Sequence, residues 1–113
     1  MVGSRGPRMT LPTQLVLHVL LDDPDRERYG LELCRAAGLP SGTIHPILAR
    51  LERAGWLISH WERIDTTEEG RPKRRYYRLN PGNLATVKAA LHRAAPDPTA
   101  LGRLRPGTTG GLS

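Results

Sequence analysis

The sequence predicts a mainly helical fold carrying one β-hairpin, on three observations. Ile44, Ile47, Leu48 and Leu51 recur at i, i+3, i+4 and i+7, the spacing of a helix with one buried stripe. After Gly55 the period changes: Trp56 to Ile64 is rich in aromatic and β-branched residues, and a second strand-like run follows over 73–79. Aromatic residues make up only 4% of the 113 positions and Phe is absent, so the core must be built from Leu, Ile, Val and Ala. A chain of this length has room for one such core and not for two.

The first helix is expected over Pro12 to Leu21, capped by Thr10 or Leu11, with Pro12 in the first turn where its missing N–H costs nothing. It is apolar nearly all round, interrupted by Gln14 and His18, and so has more than one face to bury. Asp22-Asp23-Pro24-Asp25 ends it. The second helix covers Tyr29 to Ala37, with Leu31, Leu33, Cys34 and Ala37 apolar, and stops at Gly38. A tight connection, Gly38-Leu39-Pro40-Ser41, leads into the third helix, which runs to Ala54 and Gly55. Thr43 is the preferred N-cap over Ser41, because it keeps Pro46 inside the first turn.

The two strand-like runs are joined by the turn-rich segment 65–72 and predict a long hairpin. Alternation puts Tyr77 and Leu79 on the core face and Arg74, Tyr76 and Arg78 on the other. Trp56 and Trp61 read as packing residues. Asn80-Pro81 opens a last helix in which Leu84, Val87, Leu91 and Ala94 form a narrow seam suited to a helix–helix contact. The expected organisation is a flexible basic arm over 1–9, a folded domain over 10–79, one further helix over 80–95, and a disordered Pro/Gly/Thr-rich tail over 96–113.

Several function classes drop out. The single cysteine, Cys34, excludes an internal disulfide and reads as a core filler. With His18, His45, His60 and His92 it has no metal-ligand spacing. His18 reads as a core or interface residue. No Ser/His/Asp set, carboxylate pair or phosphate-cradling glycine loop occurs at a meaningful spacing, so no enzyme activity, cofactor or metal is expected. No apolar run is long enough to span a membrane. The run Leu15 to Leu21 follows Arg5 and Arg8 like a leader, but it contains a histidine, lacks a small-residue cleavage site and ends at two aspartates. A cytoplasmic protein is expected.

The net charge of +6 points to a polyanionic partner, and its placement sharpens that. Residues 11–40 carry three basic and five acidic side chains, whereas 71–78 carry five basic residues and no acid. Helix, helix, tight turn, helix, basic hairpin, helix is the winged helix-turn-helix layout. The third helix is anchored by its apolar stripe and turns Thr43, Pro46, Arg50 and Arg53 outward, a face suited to a major groove of double-stranded DNA. Gly42 and Thr43 at its start let a phosphate approach the free N–H groups. Arg71 and Lys73 flank Pro72 near the hairpin tip and are the foremost candidates for DNA contact.

The ordered set Tyr29-Gly30-Leu31-Glu32-Leu33, Gly42-Thr43-Ile44-His45-Pro46-Ile47-Leu48, Arg50-Leu51-Glu52, Gly55-Trp56-Leu57 and Gly70 to Leu79 resembles the PadR family of bacterial transcriptional regulators, over about residues 12–92. The resemblance implies a homodimeric DNA-binding protein, usually a repressor, on a pseudo-palindromic operator. By position it implies that Ser41, Thr43, His45, Pro46 and Arg50 face DNA from the third helix, and Arg71, Lys73 and Arg74 from the wing. It also implies a dimer in which the last helix packs on the partner's first, engaging Leu15, Val19, Leu84, Val87 and Leu91. Two departures stand out. His45 replaces the usual Tyr, either as a donor to phosphate or guanine or as a plain occupant of an exposed position. One short helix replaces a long C-terminal domain, and no aromatic follows Tyr77, which argues against a large stacking pocket for a small-molecule effector. From another class, the same hairpin suits a winged-helix interaction module that binds an acidic surface of a transcription component.

Overall fold

The computed structural model describes residues 6–94. Helix α1 (Leu11–Asp22) starts on Thr10, whose Oγ1 accepts the Thr13 N–H at 3.3 Å, with Pro12 in the first turn. A two-residue strand β1 (Arg28–Tyr29) precedes α2 (Gly30–Ala37), which ends on Gly38 in the left-handed region, φ 70°. Helix α3 spans Ser41–Arg53, strand β2 Leu57–Trp61, a one-turn helix α4 Thr66–Glu69, and strand β3 Arg75–Leu79. A 3₁₀ turn over Pro81–Asn83 leads into α5 (Leu84–Ala94).

The fold class is as the sequence predicts, mainly helical with a small antiparallel sheet, and the differences have local causes. The sheet has three strands, in the order β1-β3-β2, because Arg28 and Tyr29 pair with Tyr77 and Tyr76. Helix α3 begins at Ser41 with Pro40 as its cap residue, not at Thr43. Two bonds to the Pro40 carbonyl, from Thr43 and Ile44 at 3.0 Å each, hold the earlier start. Pro46 therefore lies beyond the first turn and cannot give Gly42's carbonyl its i+4 bond. The segment 65–72 is not all turn. Asp65 caps α4 by accepting from Thr67 and Glu68, and Gly70 closes it at φ 68°.

The core runs through all layers. Val16, Leu17 and Leu20 of α1, Leu33 of α2 and the stripe Ile44, Ile47, Leu48, Leu51 of α3 meet Trp56, Leu57, Tyr77 and Leu79 from the sheet. Tyr77 and Leu79 face inward as the alternation predicts. Leu31 departs from its expected apolar face and stands half exposed. Cys34 packs partly buried against the core, and His18 is exposed rather than enclosed.

The last helix packs on its own chain. Val87 and Leu91 are 0% and 7% exposed and belong to the chain's own core, with Leu84 packed against it. Val87 and Leu91 are thus covered within this chain, while Ala85, Thr86, Lys88, Ala89, His92 and Arg93 stand exposed on the other side of the helix. Asn80 secures this junction: its N–H and Nδ2 donate to the carbonyls of Trp56 and Gly55, each at 2.9 Å. The surplus apolar face lies on α1, where Leu11 and Leu15 are 67% and 38% exposed and Val19 is partly covered. Of the expected flexible arm over 1–9, Met9 packs against the core, and residues 1–5 lie outside the described residues. So does the expected tail over 96–113, with residue 95. Among the described residues no helix is long and apolar enough to cross a membrane.

Candidate nucleic-acid interface

Helix α3 divides as its sequence periodicity requires. Its apolar stripe is fixed in the core, and Ser41, Gly42, His45, Pro46, Ala49, Arg50 and Arg53 are exposed along the opposite side. Thr43 is half buried at the edge of that face. The His45 ring lies over the start of α2, so close to Gly30 that a Cβ there would meet Cε1 at 3.1 Å. Glycine at position 30 is thus what lets the imidazole lie down against α2. Nothing crowds Gly42, and main chain can approach the helix start freely.

The hairpin is more tightly organised than a basic run suggests. The Arg71 guanidinium forks onto Glu62, Nη1 to Oε1 at 2.7 Å and Nη2 to Oε2 at 3.0 Å, and the Arg74 N–H donates to Oε1 at 3.1 Å. The hydrogen bond from Arg71, opposed by desolvation and helped by the Arg74 N–H, holds the Glu62 carboxyl down at about 2 from its ordinary 4.5. Glu62 in turn raises the Arg71 pKa. The Arg71 guanidinium is thus held against Glu62 at the base of the wing, while Lys73, beyond Pro72, is exposed.

Two further contacts tie the wing to the body. Glu52 of α3 accepts from Ser59 Oγ and from Arg75 Nη2, the latter at 3.4 Å, so α3 and the sheet are cross-linked by one carboxylate. Arg74 lies with its Cζ 4.2 Å from the centre of the Tyr29 ring, a cation–π contact onto β1. Tyr29, Tyr76 and His60 then form a row across the outer sheet face, with Tyr76 edge-on to Tyr29 at 5.6 Å and stacked with His60 at 5.8 Å. His60 Nε2 meets Glu27 at 2.7 Å. Trp61, at 56% exposure, carries Arg75 over its ring instead of entering the core.

Of the expected site residues, Ser41, His45, Pro46 and Arg50 share one exposed helix face, and Lys73 and Arg74 lie on the wing tied to it. Among the described residues no carboxylate stands within ion-pair distance of Arg50, Arg53, Lys73, Arg74 or Arg78. The positioning residues Glu52, Glu62, Tyr29 and Gly30 were missed. Tyr29, Gly30 and Glu52 stand in the motifs that carry the family resemblance, which gives them no individual role, and strand alternation alone assigns Glu62 to solvent. Among the described residues no group of His, Cys, Asp and Glu side chains could hold a metal ion.

Comparison with known proteins agrees with this arrangement. Solved structures of similar fold include a PadR family transcriptional regulator from Eggerthella lenta, 25% identical over 83% of each chain with a TM-score of 0.61. Another is a PadR family transcription regulator from Clostridium difficile R20291, 16% identical, covering 92% of this chain and 100% of that one, TM-score 0.58. The S. aureus MepR–DNA complex is similar in fold at 15% identity, covering 92% of this chain and 81% of that one, TM-score 0.57. A search of curated proteins found no match. The model of the transcriptional regulator PadR-like family matches residues 16–83, from the core of α1 through the recognition helix and wing to the turn before α5. The chain belongs to the PadR-like family of transcriptional regulators.

Proposed function

We propose that the chain binds double-stranded DNA sequence-specifically as a homodimer and acts as a repressor on a pseudo-palindromic operator, in the cytoplasm. The observation that carries this reading is that Arg50 and Arg53 on the exposed side of α3, and Lys73 and Arg74 on the wing that Glu52 ties to that helix, have no carboxylate partner among the described residues. Helix α3 would enter the major groove with Ser41, Thr43, His45, Pro46 and Arg50 toward base edges and phosphates. Lys73 and Arg74 would lie on the flanking backbone or in the adjacent minor groove. MepR, similar in fold, is seen bound to DNA. The exposed Leu11 and Leu15 of α1 supply the self-complementary apolar strip that a two-fold dimer needs. Two copies would place their recognition helices about 34 Å apart, one turn of the duplex.

Selection from random duplexes, followed by a salt titration of the enriched site, tests the reading. An inverted repeat should emerge, and log K should fall linearly with log salt through counterion release. A reporter driven by a promoter containing that repeat should be silenced. Failure to enrich any motif, with retention on DNA indifferent to salt, would sink the proposal.

A further inference from the structure

Arg28 presents a problem that the DNA-facing surface does not solve. It is only 8% exposed, its Nε is buried without a hydrogen-bond partner, and it takes part in none of the ion pairs among the described residues. A guanidinium N–H buried without an acceptor is costly, and such groups are normally met by an anion or another acceptor. Its β1 register, opposite Tyr77, places Arg28 on the sheet face that packs against the helices. There it lines a pocket of about 360 Å³ together with His18, Val19 and Asp22 of α1 and Ala36 of α2.

The chemistry of that lining is specific. Arg28 calls for a carboxylate, and the exposed His18 ring has a nitrogen able to donate to the same group. A simple anion would meet the Asp22 carboxylate, with Asp23 next to it in sequence, and be repelled. A ligand that satisfies both ends must carry a cation beside its anion. Val19 and Ala36 add apolar surface to the same open, shallow depression.

We propose that this pocket binds a free α-amino acid, with its carboxylate on Arg28 and His18, its ammonium on Asp22, and its side chain against Val19 and Ala36. The site lies apart from α3's exposed face and the wing tip, and its occupation does not depend on DNA binding.

Isothermal titration calorimetry on the full chain, without DNA, tests this with L-leucine, L-alanine and L-glutamine as probes and isovalerate and 3-methylbutylamine as half-ligands. At least one amino acid should bind saturably, and each half-ligand at least tenfold more weakly than L-leucine if leucine is the binder. Asp22→Asn, at an exposed position, should weaken amino-acid binding about tenfold, the loss of one charge-assisted contact, and strengthen the binding of isovalerate, which no longer meets a repelling carboxylate. Arg28→Met should abolish binding of both without lowering the melting temperature, because an apolar isostere removes an uncompensated charge. No saturable heat from any of the three amino acids at millimolar concentration overturns the proposal, as does binding that survives both substitutions. Should wild type bind none of them while Arg28→Met turns a dimer into a monomer in sedimentation, the acceptor is a carboxylate of a second copy and the proposal is wrong.

Discussion

Glu62 and Arg71 face each other across the base of the wing loop as a two-point fork, 2.7 and 3.0 Å, closing the segment that carries α4. The folded state holds the Glu62 pKa at about 2, below its ordinary 4.5. A lowered carboxylate pKa means that the fork's contribution is complete above pH 4.5 and is lost as pH falls through about 2. Carbon-detected NMR should find the Glu62 midpoint at about 2 in wild type and displaced toward 4.5 in Arg71→Ala. An unmoved midpoint in that variant would show that Arg71 is not the cause.

Leu48 is fully buried on the inward stripe of α3. Leu48→Ala should cost about 2–5 kcal/mol of unfolding free energy, the transfer of the lost methyls plus the cavity left behind. Urea denaturation followed by far-UV circular dichroism measures it, and a loss under about 0.5 kcal/mol, typical of surface sites, would contradict the assigned burial.

Helices α1 and α5 should respond in opposite ways to added charge. Leu15→Glu places a carboxylate on an exposed strip, so the chain should stay folded and sediment as a monomer. Val87→Asp buries a carboxylate in the chain's own core and should cost more than about 4 kcal/mol, unfolding the domain instead of dissociating it. Sedimentation velocity beside a thermal melt separates the two. A folded monomer from Val87→Asp would restore α5 as a partner seam.

Gly30→Ala separates stability from recognition. Its backbone is not in the left-handed region, so the substitution should leave stability unchanged or raise it by up to about 1 kcal/mol through the unfolded state. The new methyl, 3.1 Å from His45 Cε1, must push the imidazole away. Affinity for the selected duplex should fall while the urea midpoint holds or rises. An unchanged affinity would mean that the His45 ring position is irrelevant to binding.

Arg50 and Lys73 should fail differently. Arg50→Ala on the helix face should cost about 1–3 kcal/mol at one base position and relax specificity there, whereas Lys73→Ala should weaken binding to all duplexes and reduce the salt slope by about 1. Fluorescence anisotropy on matched and mismatched duplexes at several salt concentrations distinguishes them. Equal loss on every duplex from Arg50→Ala would remove it from base readout.

Much of this was legible in the chain itself. The stripe Ile44, Ile47, Leu48, Leu51 and the alternation of Tyr77 and Leu79 are periodic signals, and periodicity reports which side chains leave water. Strand β1 was invisible because two residues cannot display a period, and its pairing is dictated by β3 alone. The fate of Arg71 was equally hidden: a charge run records how many cations there are, whereas Glu62 decides which of them is engaged. The seam on α5 is ambiguous for a related reason. Val87 and Leu91 are spaced for a helix contact, but spacing does not say whether the opposing surface is another chain or this one.

The short strand has a consequence for how the molecule comes into being. β3 is the central strand, so Arg28 and Tyr29 find their hydrogen-bond partners only once Tyr76 and Tyr77 have been placed. Such distant pairing raises contact order and slows the rate-limiting step of folding. On a ribosome the three helices of the recognition unit emerge first, with their sheet edge unpaired until the whole wing has left the exit tunnel. Helices and wing therefore lock together late and in one event, and a chain cut between them would strand both halves short of the native state.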